Sequence, residues 1–462
     1  MFRNNSSLEQ QNKYYSTNLR ISVASFREAL LKGLAPDGGL YMPVHFPLFS
    51  ESELEAFSEL TYHELASEII GRFIETEINR ETLSEICKEV YNFSIPLEHI
   101  SERSYVMRLD QGPTASFKDF AALAMGRLMQ YFLQKEKKHI LILTATSGDT
   151  GSAVANAFYG LENIRAIILF PSGEVSEIQR KQITTFGNNI QAIEVNGKFD
   201  DCQRLVKSAF LDESLKELNL SSANSINIGR LLPQSVYYFW AWARLSGKSF
   251  EEFVFSVPSG NFGNLTGGLI AMKMGLPVKC FVISTNENNE VPEFLKTGIY
   301  NPVSPSKNCI SSAMNVGHPS NLARIVSMYG GIMDENGLMH NAPDLEKMRM
   351  DLYGASFSDQ ETRQAIISFY KHYKILLEPH GAVAWLGLQE YLKNHPPSNE
   401  MNTFNVCLET AHPSKFTEEI RTLLNIELNH PDSLTHIEAR IEEYISLENN
   451  YEVLKEFLIR NY

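Results

Sequence analysis

Lys118 stands in the run Gly112-Pro-Thr-Ala-Ser-Phe-Lys118-Asp-Phe120, just after a proline-containing loop. Apolar residues follow at Phe120, Leu123, Ala124, Leu128 and Phe132, a helical spacing that puts Lys118 at or near a helix N-terminus. A helix start favours negative charge, because its free N–H groups and dipole are partly positive there. An ammonium set at that point between Phe117 and Phe120 sheds its proton more readily than a free lysine, since burial disfavours the charged form. A neutral lysine amine is a nucleophile toward carbonyls, the aldehyde of pyridoxal phosphate among them. A first-turn lysine turned to solvent accounts for the same residues, and for a short motif taken alone it is the commoner case.

Two glycine-rich turns each join a strand-like run to a helix-like one. They are Ser147-Gly-Asp-Thr-Gly151 and Ser259-Gly-Asn-Phe-Gly-Asn264. In such turns several main-chain N–H groups converge beside a helix start, so each can hold an anion. No lysine follows the second turn, and its glycines lack the G-x-G-x-x-G spacing, so it is not a nucleotide-binding loop. It suits a single phosphate held by main-chain donors, as pyridoxal phosphate requires. The first turn adds the hydroxyls of Ser147 and Thr150, able to grip a carboxylate or phosphate. Either turn alone is also an ordinary strand-to-helix connection.

Arg230 ends Asn224-Ser-Ile-Asn-Ile-Gly-Arg230, where amide and hydroxyl donors precede a guanidinium of the kind that binds phosphate through paired N–H groups. A surface arginine in a salt bridge is the alternative. Glu409-Thr-Ala-His-Pro413 ends a buried-looking strand, a place where open α/β sheets put ligand contacts. Thr410 there offers a hydroxyl to a heterocyclic nitrogen. Glu378-Pro-His380-Gly381 is a similar turn, and His380 and His412 are acid–base candidates or partly buried structural histidines.

The elements that must position these residues read as follows. From about Ile21 to Ile100 the pattern is mainly helical. Strands are expected at His139–Leu143, Ile164–Phe170, Ile190–Val195, Phe253–Val257, Val278–Ser284 and Thr403–Leu408, with helices between them. That alternation indicates parallel β-α-β units. Residues 286–337 read as loop-rich apart from a helical stretch around Asn321–Tyr329, and the chain after about Leu428 as two charged helices. The domains assigned are an N-terminal mainly helical subdomain (1–100), a large α/β domain (101–137 and 229–430), a small α/β domain (138–228) and C-terminal helices (431–462).

The 462 residues are too many for one core, which agrees with that division. A formal charge of −14 argues against nucleic acid or an anionic membrane as the main partner. The 5 cysteines include no C-x-x-C, and no H-E-x-x-H occurs, so neither a disulfide framework nor a metal is expected. No apolar run is long enough to cross a membrane. The polar stretch Met1–Lys13 lacks the apolar region of a signal peptide and reads as a flexible lead-in, which makes cytoplasmic the default location.

In order along the chain, G-P-T-x-x-F-K-D-F, T-A-T-S-G-D-T-G, S-A-N-S-I-N-x-x-R, V-P-S-G-N-F-G, E-P-H-x-A-V-A and T-A-H-P resemble threonine synthase. The likeness runs from Tyr15-Ser-Thr17 and Asp37-Gly-Gly-Leu-Tyr41 to about Leu424. It implies two parallel-sheet α/β domains of the tryptophan-synthase-β-like (fold type II) pyridoxal-phosphate enzymes. It implies that Lys118 bonds the cofactor and later moves protons between carbons. Gly260, Asn261, Phe262, Gly263 and Asn264 match the loop for the cofactor phosphate, and Thr410 the partner of the pyridine nitrogen. Ser147, Asp149 and Thr150 match the loop that meets substrate and cofactor. Asn224, Ser225 and Arg230 match the pocket for the substrate phosphate. Relatives often read G-P-T-L-A-F-K where this chain has Ala115 and Ser116, and related folds carry Asn at the position of Asp149.

The resemblance implies conversion of O-phospho-L-homoserine and water to L-threonine and phosphate by a monomer or homodimer, through γ-elimination and addition of water at Cβ. A phospho-lyase releasing 2-oxobutyrate from the same substrate is the nearest rival. A hydroxy-amino-acid dehydratase leaves the pocket around Arg230 without a purpose, and a non-catalytic phosphate or amino-acid binding protein does the same for Lys118.

Overall fold

The computed structural model describes residues 12–246, 250–396, 403–435 and 437–462. Most of the expected lead-in, residues 1–11, lies outside the described residues, and Lys13 already opens a strand. That strand, β1 (Lys13–Ser16), pairs antiparallel with β2 (Ala24–Ser25) and β3 (Tyr41–Pro43). Helices follow at Tyr62–Ile74 and Arg80–Val90. Thr61 and Glu64 form a capping box at the first, and Asn79 caps the second by accepting from Thr82 N at 2.8 Å. Their apolar stripes, Leu65, Ile69 and Phe73 on one and Leu83, Cys87 and Val90 on the other, join the main core.

Two sheets are then built in interleaved order. The hairpin β4 (Leu97–Ser101) and β5 (Ser104–Arg108) begins the first. After the Lys118–Glu136 helix come β6 (Ile140–Ala145), β7 (Ile164–Pro171), β8 (Ile190–Asn196) and β9 (Leu220–Ser221) of the second. The chain returns to the first sheet with β10 (Phe253–Pro258) and β11 (Val278–Thr285). A hairpin of β12 (Ile332–Met333) and β13 (Met339–Asn341) stands apart from both. Then β14 (Leu352–Ser356) and β15 (Phe404–Glu409) complete the first sheet, and β16 (Tyr444–Glu448) joins the second.

The first sheet has the order β14-β11-β10-β15-β5-β4 and is parallel except for β4. The second, β16-β8-β7-β6-β9, is parallel throughout. Every residue of β6, β10 and β15 is buried, which is why these strands read as unbroken apolar runs. Side chains alternate across the first sheet. Phe253, Phe255 and Phe281 face the core shared with the Leu232–Leu245 helix. Val254, Cys280 and Val282 face Ile366, Phe369, Trp385 and Leu388 of the Asp359–Tyr373 and Pro379–Asn394 helices.

The structure departs from the sequence reading at the ends. The stretch expected to be mainly helical, Ile21 to Ile100, also holds β2, β3 and most of β4. Where two charged helices are expected after residue 431, the chain forms β16 and one helix, Tyr451–Asn461. Along β16 exposed residues alternate with half-buried ones, so its polar content belongs to a sheet edge. Leu454 and Leu458 of the following helix then cover Val195 and Leu205 of the second sheet's core. The segment read as loop-rich contains a helix at Glu290–Thr297.

Leu458→Ala should lower the unfolding free energy by about 2–5 kcal/mol, read from the urea midpoint. Ile459→Ala, on the exposed side of the same helix, should change it by less than about 0.5 kcal/mol.

Candidate active site

The ends of β6, β10 and β15 face a common cleft, the place where open parallel sheets put their ligand contacts. Lys118, Ser147, Asp149, Thr150, Asn224, Ser225, Arg230, Gly260, Asn261, Phe262, Gly263, Asn264 and Thr410 all line it. So does His380, while His412 does not. Among the described residues no helix is long and apolar enough to cross a membrane.

Lys118 is the first residue of the Lys118–Glu136 helix, as its spacing predicts. The loop before it is zipped to the segment after β15. Ser116 bridges Ala411, Phe117 N donates to Thr410 O at 2.9 Å, and His412 N donates to Ala115 O at 3.0 Å. Asp119, fully buried, accepts from Thr114 N at 2.8 Å and from Thr114 Oγ1 at 2.6 Å. Burial pushes the Asp119 carboxyl up to about 6, against those bonds.

The Lys118 Nζ lies 3.8 Å from Asp149 Oδ2 and 4.7 Å from the centre of the Phe117 ring. Burial lowers the proton affinity of this amine. Asp149 and Glu378 oppose that effect, and Lys415 and Arg230 add to it. Asp149 Oδ1 accepts from Gln179 Nε2 at 2.9 Å and from Lys415 Nζ at 2.8 Å. Burial alone would raise the Asp149 carboxyl, but the charges of Lys415 and Lys118 hold it well below the usual range. The turn that presents Asp149 is tied by Thr146 Oγ1, which accepts from Gly148 N at 2.9 Å and Gly151 N at 2.7 Å. Gly148 has φ 136°, and a Cβ there would come within 2.5 Å of the Gln179 side chain. Only glycine fits that turn.

On the opposite wall Arg230 Nη1 donates to Ala223 O at 2.6 Å, while its buried Nε has no partner among the described residues. Burial brings the guanidinium down to about 10, with Asp119 opposing. Asn224 Nδ2 donates to Ala145 O at 3.3 Å, and its buried Oδ1 has no partner among the described residues. Asn321 Nδ2 links Ser225 Oγ (3.1 Å) to Asn261 O (2.9 Å), joining this wall to the 259–264 loop. The fully buried Arg324 donates to Ser225 O, Ile226 O and Tyr41 O at 2.8, 2.6 and 3.1 Å.

Thr410 Oγ1 donates to Glu378 Oε1 at 3.3 Å. Glu378 also accepts from His380 N (2.7 Å), Gly381 N (3.1 Å) and His380 Nδ1 (2.5 Å). Ala313 N donates to His380 Nε2 at 3.0 Å, so the ring proton sits on Nδ1. His412 bonds Ser414 instead, and burial pushes its ring down to about 4.

A phosphorylated aldehyde cofactor fits this arrangement. Among the described residues no acceptor takes the main-chain N–H of Gly260, Asn261 or Phe262. Arg230 and Asn224 line the same cleft, as does the lysine amine of lowered proton affinity. The sequence reading gives no role in the site to Lys415, Gln179, Asn321 or Arg324. Lys415 lies three residues beyond His412 in a turn the sequence reading does single out, whereas nothing near Arg324 in the sequence marks it.

Three family profiles match the chain. "Threonine synthase N terminus" covers residues 13–91, "Pyridoxal-phosphate dependent enzyme" residues 92–401, and "Threonine synthase, C-terminal" residues 382–458. A threonine synthase of Buchnera aphidicola subsp. Acyrthosiphon pisum is 40% identical over 424 residues, 91% of this chain and 94% of its own. The chain belongs to the threonine synthase family. Crystal structures agree. The pyridoxal-phosphate-bound threonine synthase of Brucella melitensis has a TM-score of 0.88 at 33% identity, covering 97% of this chain and 99% of its own. The threonine synthase of Escherichia coli gives 0.85 at 36% identity, covering 97% and 100%. As a member of the threonine synthase family the chain is a pyridoxal-phosphate-dependent enzyme, and the fold type implied by its six motifs is the one observed.

Arg324→Leu should lower stability by at least about 2 kcal/mol, since it leaves one buried and two part-buried carbonyls without their donor. Urea denaturation would read the loss, and Arg324→Lys should recover only part of it.

Proposed function

We propose that this cleft converts O-phospho-L-homoserine and water into L-threonine and phosphate. The observation that carries the reading is the placement of the half-buried amine of Lys118 and the guanidinium of Arg230 on the walls of one cleft. The first suits a carbonyl cofactor and the second a phosphate leaving group. The main-chain N–H groups of Gly260 to Asn264 hold the cofactor phosphate, and Thr410 meets its pyridine nitrogen. Bound pyridoxal phosphate supplies an electron sink for the carbon bearing the substrate amine.

The chain's own residues do the rest. Lys118 anchors the cofactor between turnovers, and during them its Nζ takes the Cα proton and returns protons along the carbon chain. Arg230, Asn224 and Ser225 bind the substrate phosphate and stabilise its charge as the Cγ–O bond breaks. Ser147 and Thr150 offer hydroxyls to the substrate, and Asp149 balances the cations around Lys118. Water must add at Cβ only after phosphate has left, so the walls formed by Phe117, Phe199 and Met314 have to limit its earlier access.

Incubating the protein with pyridoxal phosphate and O-phospho-L-homoserine should yield threonine and phosphate, identified by chromatography. Phosphate with 2-oxobutyrate would replace the reading by that of a phospho-lyase. Lys118→Ala should abolish turnover. Gly260→Ala puts a Cβ within 2.4 Å of Ala313 O, and should weaken pyridoxal-phosphate binding about tenfold in absorbance titrations. Gly71→Ala, whose Cβ meets only Leu83 at 3.5 Å, should leave that binding unchanged.

A further inference from the structure

Lys415 is a second lysine beside the cleft, and its side chain is fully buried. It comes from the helical turn Pro413–Phe416 that follows β15. Its Nζ reaches Asp149 Oδ1 at 2.8 Å, although Asp149 opens the helix after β6 in the other sheet. Gln179, from the Glu177–Thr184 helix, donates to the same oxygen at 2.9 Å. The other oxygen, Oδ2, faces Lys118 at 3.8 Å, too long for a hydrogen bond but close enough for charge to act. The groups therefore form a row from Lys415 through Asp149 to Lys118. The remaining charges facing Lys118 are Arg230 on the opposite wall and Glu378 beneath Thr410, with the Phe117 ring against it. His412, in the turn before Lys415, is neutral and contributes no cation.

Burying two charges is costly unless both are well held, so such a pair calls for a purpose. Asp149 alone would favour the protonated form of Lys118, which can neither attack a carbonyl nor take a proton. Deleting the carboxylate would leave Lys415 unpaired and remove the tie between the sheets. We propose that Lys415 is a positioning residue for the reaction: it clamps Asp149 between the two sheets and offsets that carboxylate's charge on Lys118. This rests on Lys118 being the reactive amine, as read above. Lys415 touches neither substrate nor cofactor in this role and acts through Asp149.

The test uses the holoenzyme. The absorbance of bound pyridoxal phosphate is titrated against pH, beside the pH profile of kcat/KM for threonine formation. Lys415→Met removes the cation at similar length, and should move both transitions to higher pH by roughly one unit. Asp149→Asn should move them the other way, and Lys415→Arg should restore the wild-type position. Equal directions for the two charge deletions, or unmoved transitions, overturn the proposal. A purely structural role for the pair would lower stability without opposite pH shifts. Should Lys415→Met fail to fold, the direction of the Asp149→Asn shift decides, and an unmoved or upward one overturns the proposal. Borohydride reduction and peptide mapping of the wild-type enzyme keep the two readings apart: a cofactor found on a lysine other than Lys118 overturns the site assignment itself, whatever the pH shifts.

Discussion

A few main-chain hydrogen bonds between Ala115–Phe117 and Thr410–His412 set the geometry on which the cleft depends. They join two segments far apart in sequence and leave neither free to slide. Ser116 bridges Ala411, and the pairs on either side fix Lys118 relative to Thr410. Ala115 takes a left-handed backbone conformation, φ 54°, to make the bridge possible. Asp119 locks the loop from beneath by gathering the N–H and hydroxyl of Thr114. Side-chain rotamers can adjust within such a frame, but the amine and the hydroxyl keep their separation. Catalysis through a held cofactor needs that kind of rigidity, because small misplacements of reacting groups are costly.

Electrostatics impose the next constraint. Lys118, Lys415, Arg230 and Asp149 are packed into one region with little water to screen them. The arrangement is tolerable because each cation is either paired, shared, or left facing the space an anion would fill. Lys415 and Gln179 saturate one oxygen of Asp149, Arg230 donates through Nη1 to Ala223 O while its buried Nε has no partner among the described residues, and Lys118 takes only a distant charge contact. A buried cation with an unfilled hydrogen-bonding direction is an anion site in waiting. Where the fold surrounds a cation with fixed acceptors, as three carbonyls and the Asn321 amide oxygen surround Arg324, the residue serves architecture instead.

The sequence carried the local parts of this well. Lys118 at a helix start, the two glycine turns and the buried strands β6, β10 and β15 each follow from residue types within a short window. The interleaving of the two sheets does not, because it depends on pairings such as β5 with β15 across most of the chain. β16 was hidden for a different reason: an edge strand with one exposed face and acidic neighbours has the composition of a polar helix. Lys415 and Gln179 converge on Asp149 from separate sheets, and no spacing in the sequence encodes that meeting. The ring proton of His380 was likewise set by Ala313, a neighbour only in space.

The N-terminal region has a part in the site that its distance from the chemistry conceals. The wall bearing Asn224, Ser225 and Arg230 is a loop ending in the helical turn Ile228–Arg230, and loops hold functional groups accurately only when something rigid backs them. Here the backing comes from before the first large sheet. Arg324 ties Ser225 and Ile226 to Tyr41 in β3, and Asn227 donates to Leu30 O at 2.8 Å. Gly229 packs so closely against Leu30 that a Cβ would come within 2.3 Å of that side chain. Residues 13–43 therefore act as the outer brace of the wall that bears Arg230. A truncated chain that kept both parallel sheets would keep Lys118 and Thr410 in register, yet lose the support that aims Arg230. The separate N-terminal segment and the cleft are one mechanical unit, joined through a buried arginine that does not itself line the cleft.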